Sequence, residues 1–92
     1  MDKITKEKVE QYKKLTSTAL EMAEKSINRK RGKEANEIIS MVKNYISDSN
    51  YFQSKGDLVS AFAALNYAHG WLDAGARLGI FNVKDDRLFT IK

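Results

Sequence analysis

Apolar residues return every three or four positions along three long stretches of this chain, the period of an amphipathic helix rather than the alternation of a strand. In the first stretch Val9, Tyr12, Leu15, Ala19, Met22, Ala23 and Ile27 recur at that step, with lysines and glutamates between them. This pattern predicts a helix over about 5–29. Arg31-Gly32 is expected to close it, because glycine takes the left-handed conformation of a helix end at little steric cost. The second stretch, Ala35, Ile38, Ile39, Val42, Tyr45, Ile46 and Phe52, predicts a helix over about 34–54. Glu34 and Glu37 fall in its first turn, where the helix dipole favours negative charge. Ser47-Asp48-Ser49-Asn50 is its weak point, since these side chains compete for backbone hydrogen bonds. Lys55-Gly56 supplies a stop signal, and Asp57 the next N-cap.

The third stretch, about 58–78, is the most apolar. At 100° per residue, Leu58, Ala61, Phe62, Leu65, Ala68, Leu72 and Ala76 gather on one side. Ala64, Tyr67, Trp71, Ala74 and Leu78 carry that side well round the cylinder. The polar strip is narrow: Asn66, Asp73 and Arg77, with Gly70. An ordinary surface helix has an apolar arc of a little over 100°; this one is about twice as wide. Packing against two helices covers much of it, and the Tyr67–Trp71–Leu78 flank needs a further cover. The segment 80–92 is the candidate. Asn82 and Asp85-Asp86 mark turns there, and Leu88, Phe89 and Ile91 are apolar without helical phase. A lone strand has no partner in a helical chain, so this tail is expected to lie extended across the bundle or to complete a neighbouring subunit. The fold class that follows is all-α: a three-helix up-and-down bundle with an extended C-terminal tail, one domain over 1–92.

Composition narrows the function classes. The chain has no cysteine, hence no disulfide framework and no zinc-ribbon spacing. That fits a reducing cytosol, and a cytoplasmic location is expected. The lysine-rich start is not followed by an apolar core of a secretory signal. The longest apolar run, Ala61 to Leu65, is far too short to span a membrane. The net charge of +4 is unevenly placed. Residues 1–33 hold ten Lys and Arg against five Asp and Glu; the remainder holds six against seven. The densest point, Lys25, Arg29, Lys30, Arg31 and Lys33, contains no acid. It fits a nucleic acid or another anionic surface, or more simply a solvated helix end whose cations complement the dipole.

The block Gly56-Asp57, Ala61, Ala63-Ala64, Tyr67-Ala68-His69-Gly70-Trp71-Leu72-Asp73-Ala74-Gly75, Arg77-Leu78-Gly79 and Phe81 resembles an archaeal family, that of domain of unknown function 357. The run YAHGWLDAG is its specific part. Weaker similarity reaches back to Tyr45, Asp48 and Tyr51-Phe52, and forward to Asp86 and Leu88-Phe89-Thr90. The resemblance implies a three-helix up-and-down bundle of archaeal, cytoplasmic origin. It implies no activity and no catalytic residues.

Candidate chemistry is sparse. His69, Asp73 and Arg77 fall at i, i+4 and i+8, and can form a ladder on one helix edge. As an acid–base site this would be an imidazole oriented by a carboxylate. With no nucleophile or pocket in sight, a structural histidine satisfied by its neighbour is the preferred reading. One histidine cannot supply a nitrogen-rich metal set, and no Glu-x-x-His pair is present, so neither metal nor cofactor is expected. Tyr67 and Trp71, four apart, suit either base stacking or, more often, packing and interface anchoring. Gly70 and Gly75 each weaken a helix by roughly 1 kcal/mol against alanine, which a close neighbour would offset.

The leading expectation is a small non-catalytic protein–protein interaction module, self-association included. Its interface candidates are Tyr67, Gly70, Trp71, Leu78, Leu88 and Phe89. The alternative is a nucleic-acid-binding accessory domain using Lys25 to Lys33. An enzyme built on His69 and Asp73 ranks third.

Overall fold

A computed structural model describes residues 3–84 and 87–89. Three helices follow one another: α1, Lys6–Glu24; α2, Gly32–Ser54; and α3, Leu58–Arg77. A single 3-10 turn, Arg29–Arg31, precedes α2. The expected bundle is therefore present, with no strand among the described residues and one isolated antiparallel bridge, Ile27 to Phe81.

The helix ends show local chemistry at work. Thr5 caps α1 by accepting from the Lys8 amide at 3.1 Å, and Asp57 caps α3 by accepting from the Ser60 amide at 3.0 Å. α2 and α3 end in the same left-handed motif. Gly56 and Gly79 both have φ of +76°. The amide of Asp57 reaches the Phe52 carbonyl at 2.9 Å, as Ile80 reaches Gly75 at 2.8 Å.

α1 departs from expectation. It stops at Glu24, not near Arg29, and Gly32 does not close it. With φ of −59°, Gly32 is an ordinary helical residue that opens α2. The cause is tertiary. Residues 26–28 run extended along 80–82: Asn28 N–H donates to the Ile80 carbonyl at 2.9 Å, and Asn82 N–H to that of Ser26 at 2.6 Å. The tail thus finds a pairing partner after all, in the α1–α2 connection.

α3 packs against both other helices. One core cluster joins Ala19, Leu20 and Ala23 of α1, Ala35, Ile38, Ile39 and Val42 of α2, and Ala68 and Leu72 of α3. Ile80, Phe81, Val83 and Phe89 of the tail belong to this same cluster. A smaller one, at the other end, holds Val9, Ala61 and Leu65. Among the described residues two buried polar ones lie with them. Thr16 occupies an inward position of α1, while Leu15 beside it is exposed. Ser49 keeps α2 unbroken where a weak point was expected: its hydroxyl donates to the Ala61 carbonyl of α3 at 2.8 Å. Polar pairs join α1 to α2 at the surface, Lys13 with Asn50 at 3.0 Å and Lys43 with Glu24 at 3.4 Å.

Candidate functional site

The sequence-derived interface residues separate into two groups. Tyr67 and Leu78 are exposed by 64% and 63%, and Trp71 by 39%. Gly70 lies between them on α3, with no atom of the described residues within 4 Å of the position a Cβ would take. Leu88 and Phe89 are elsewhere. Phe89 is buried in the main core, and Leu88 is partly buried against it. The expectation that the tail shields the tryptophan flank is therefore wrong for the described residues. The tail fills the core through Ile80, Phe81, Val83 and Phe89, where burial of large apolar side chains gains most.

What remains open is a continuous face of α3. Val59, Ala63, Tyr67, Gly70, Trp71, Ala74 and Leu78 follow one another along it, and none is charged. Tyr67, Gly70, Trp71, Ala74 and Asn66 line a shallow hollow of about 310 Å³. Tyr67 stacks on Tyr45 of α2, with ring centroids 5.6 Å apart and planes 21° from parallel. This braces the aromatic ridge beside the hollow and leads into a second hollow of about 250 Å³ between α2 and α3, bordered by Tyr45, Phe52 and Ala63.

His69 faces the opposite edge of α3, towards α1 and the tail. Its Nε2–H donates to the Leu88 carbonyl at 2.7 Å, since a carbonyl only accepts. Nδ1 lies 3.5 Å from the Thr16 hydroxyl and, in that tautomer, accepts from it. Asp73 approaches Nε2 at 3.8 Å. Tyr12 packs beside this group, its ring centroid 5.1 Å from Phe62 and 5.7 Å from His69. Burial pushes the Tyr12 phenol above its ordinary range, and the Asp73 carboxylate adds to that. The polar ladder is thus half formed. Among the described residues Arg77 makes no ion pair with Asp73 and is exposed at the helix end. His69 works as a clamp holding the tail to α3, with both ring nitrogens engaged. Among the described residues no group of three or more His, Cys, Asp or Glu gathers as metal ligands.

The basic cluster is also divided. Lys25, Arg29, Lys30 and Lys33 are exposed. Arg31 is not free: its guanidinium forks onto Glu34 at 2.7 and 2.9 Å and donates to the Leu78 carbonyl at 3.0 Å. The pairing holds Arg31 more firmly protonated and pulls the Glu34 carboxyl below its usual range.

Thr16, Ser49 and the Gly75–Phe81 contact were missed by the sequence reading. A signal for Thr16 exists: 9, 12, 16, 19 and 23 form an unbroken three–four alternation in which Thr16, not Leu15, takes the inward slot.

No helix is long and apolar enough to cross a membrane among the described residues. No curated protein and no solved structure matches this chain. A family model described as "Protein of unknown function (DUF357)" matches residues 11–81, well over half of the chain.

Proposed function

From the premise that this chain belongs to the protein-of-unknown-function family DUF357, whose description assigns no activity, we propose that it is a small non-catalytic interaction module. The outer face of α3 docks another protein. A second copy of the chain is the simplest occupant, because it offers an equally uncharged face for an isologous contact.

The observation that carries this reading is Gly70. A glycine inside a helix costs about 1 kcal/mol against alanine, and among the described residues nothing comes near enough to offset it. A docked partner would. The setting agrees. The outer faces of α1 and α2 are charged, as Lys6, Glu7, Lys14, Glu21, Lys33, Glu37 and Lys43 show. That of α3 is apolar, with two aromatic rings beside a small-residue floor, the composition of an interface anchor site.

A Cβ at position 70 meets no described atom of its own chain, and a longer side chain there extends into the hollow lined by Asn66, Tyr67, Trp71 and Ala74, so Gly70→Leu should fold at least as stably as the wild type while blocking the hollow. Wild-type and Gly70→Leu baits are compared in nuclease-treated lysate, and both are sedimented over a concentration series. The expected result is self-association, or a set of retained proteins, that the variant loses. If both baits retain the same proteins and neither self-associates, the α3 face is not a docking surface.

The second reading, a nucleic-acid-binding accessory domain, draws on different residues. It is favoured by the way the exposed cations after α1 converge with the end of α3. An enzyme reading has least support, because His69 is occupied at both nitrogens by structural partners.

A further inference from the structure

The fold adds to the basic cluster a cation that the sequence places far away. The turn after α1 is tied to the end of α3 at three points. Asn28 N–H reaches the Ile80 carbonyl at 2.9 Å, Asn28 Nδ2 the Gly79 carbonyl at 3.0 Å, and Arg31 the Leu78 carbonyl at 3.0 Å. Arg77 is the residue before Leu78, and it is exposed. One end of the bundle therefore presents Lys25, Arg29, Lys30, Lys33 and Arg77 together. Two acids lie beside them, and both are paired: Glu34 with Arg31 and Glu24 with Lys43.

Helix electrostatics accounts for only part of this set. Lys25 stands at the C-cap of α1 and Arg77 in the last turn of α3, where a dipole favours cations. Arg29 and Lys30 lie just before α2, and Lys33 in its first turn. There the dipole is positive, and cations are disfavoured. The turn is also fixed by hydrogen bonds rather than fraying, so its charges ride on an ordered backbone.

We infer that this end of the bundle binds the phosphate backbone of a nucleic acid, with Lys25, Arg29, Lys30, Lys33 and Arg77 as the contacting cations. The inference rests on the second reading above and is independent of the α3 docking face. A protein partner would call for an apolar centre with charge at its rim; residues 25–33 leave no apolar side chain exposed, and the exposed Leu78 beside Arg77 lies at the edge of the set, on the α3 face. Nucleic-acid interfaces are instead dominated by positive charge. A strand carries a phosphate about every 3.4 Å of rise, close enough for several of these side chains to be engaged at once. Arg29 and Arg77 can each fork onto a phosphate.

The test is fluorescence anisotropy of a labelled single-stranded RNA and a DNA duplex of equal length, titrated between 50 and 200 mM salt, with polyglutamate as competitor. If about four phosphates are contacted on a single strand, log K falls with log salt at a slope of about −2.8, a roughly fifty-fold loss over that range. Arg77→Gln should lower the slope by about 0.7. The triple variant Arg29→Glu, Lys30→Glu, Lys33→Glu should abolish binding while keeping Arg31 and its structural bonds. Thermal melts of each variant confirm the fold, and Arg77→Gln alone decides the matter should the triple variant unfold. A slope near zero, a slope unchanged in Arg77→Gln, or polyglutamate competing as well as RNA would overturn the inference. Gly70→Leu should leave RNA binding intact, and the charge variants should leave self-association intact, so either surface can fail without the other.

Discussion

Gly75 and Gly70 are five residues apart on one helix and have opposite physical roles. The ring of Phe81 lies 2.5 Å from where a Cβ on Gly75 would stand, and Ile38 lies 3.4 Å away. Around Gly70 there is open space. Substitution should therefore differ in sign. Gly75→Ala gains helix propensity but forces apart a close-packed core, and overpacking of this kind costs about 1–3 kcal/mol. Gly70→Ala meets nothing and should stabilise by about 1 kcal/mol. Urea denaturation of both variants measures the pair; equal shifts would mean that the Phe81 ring does not sit over Gly75. Sequence could count these glycines but not tell them apart, since the difference lies in what packs onto each. Thr16 and Ser49 teach the same lesson. Helical phase makes the inward position of Thr16 legible, but not the acceptor of a buried hydroxyl, and those acceptors, His69 and the Ala61 carbonyl, lie on another helix.

Among whole elements, α2 and α3 were legible almost to the residue, whereas α1 was not. The stop at Gly56 and the cap at Asp57 are local chemistry, and local chemistry decided them. The end of α1 was settled by residues 80–82, more than fifty positions on, which pair with 26–28. A sharp consequence follows for the glycines at element boundaries. Gly32, at φ −59° with no neighbour within 4 Å, should accept alanine with a gain of about 0.5–1 kcal/mol. Gly56 and Gly79, both at φ +76°, should lose about 1–2 kcal/mol when replaced by alanine, because a Cβ is disfavoured in left-handed backbone. Thermal midpoints of the three single variants test this. A loss at Gly32 matching that at Gly56 would restore glycine-stop chemistry at the end of α1.

For the molecule as a whole, the tail is the decisive piece. Ile80, Phe81, Val83 and Phe89 are all nearly inaccessible to solvent. Each such side chain contributes about 1.5–3 kcal/mol on burial, so together they rival the 5–15 kcal/mol that holds a typical domain folded. A chain ending at Gly79 should consequently fail to fold cooperatively. Circular dichroism would show reduced helix and no sharp melt; a cooperative melt near that of the full chain would mean the three helices suffice. Among the described residues the tail is spent on the core and leaves Tyr67, Trp71 and Leu78 of α3 exposed.

Periodicity, capping residues and charge by themselves determined the helical class, the number of helices, most of their boundaries and the position of the basic cluster. Each of these depends on neighbours within a turn or two of the chain, and that information is written locally. The tertiary structure alone decided that the tail enters the core, that Arg31 is consumed internally while Arg77 joins the exposed cations, and that Gly70 is open where Gly75 is covered. Those outcomes depend on which distant segments compete for the same apolar volume and the same carbonyls, and only the assembled packing resolves that competition.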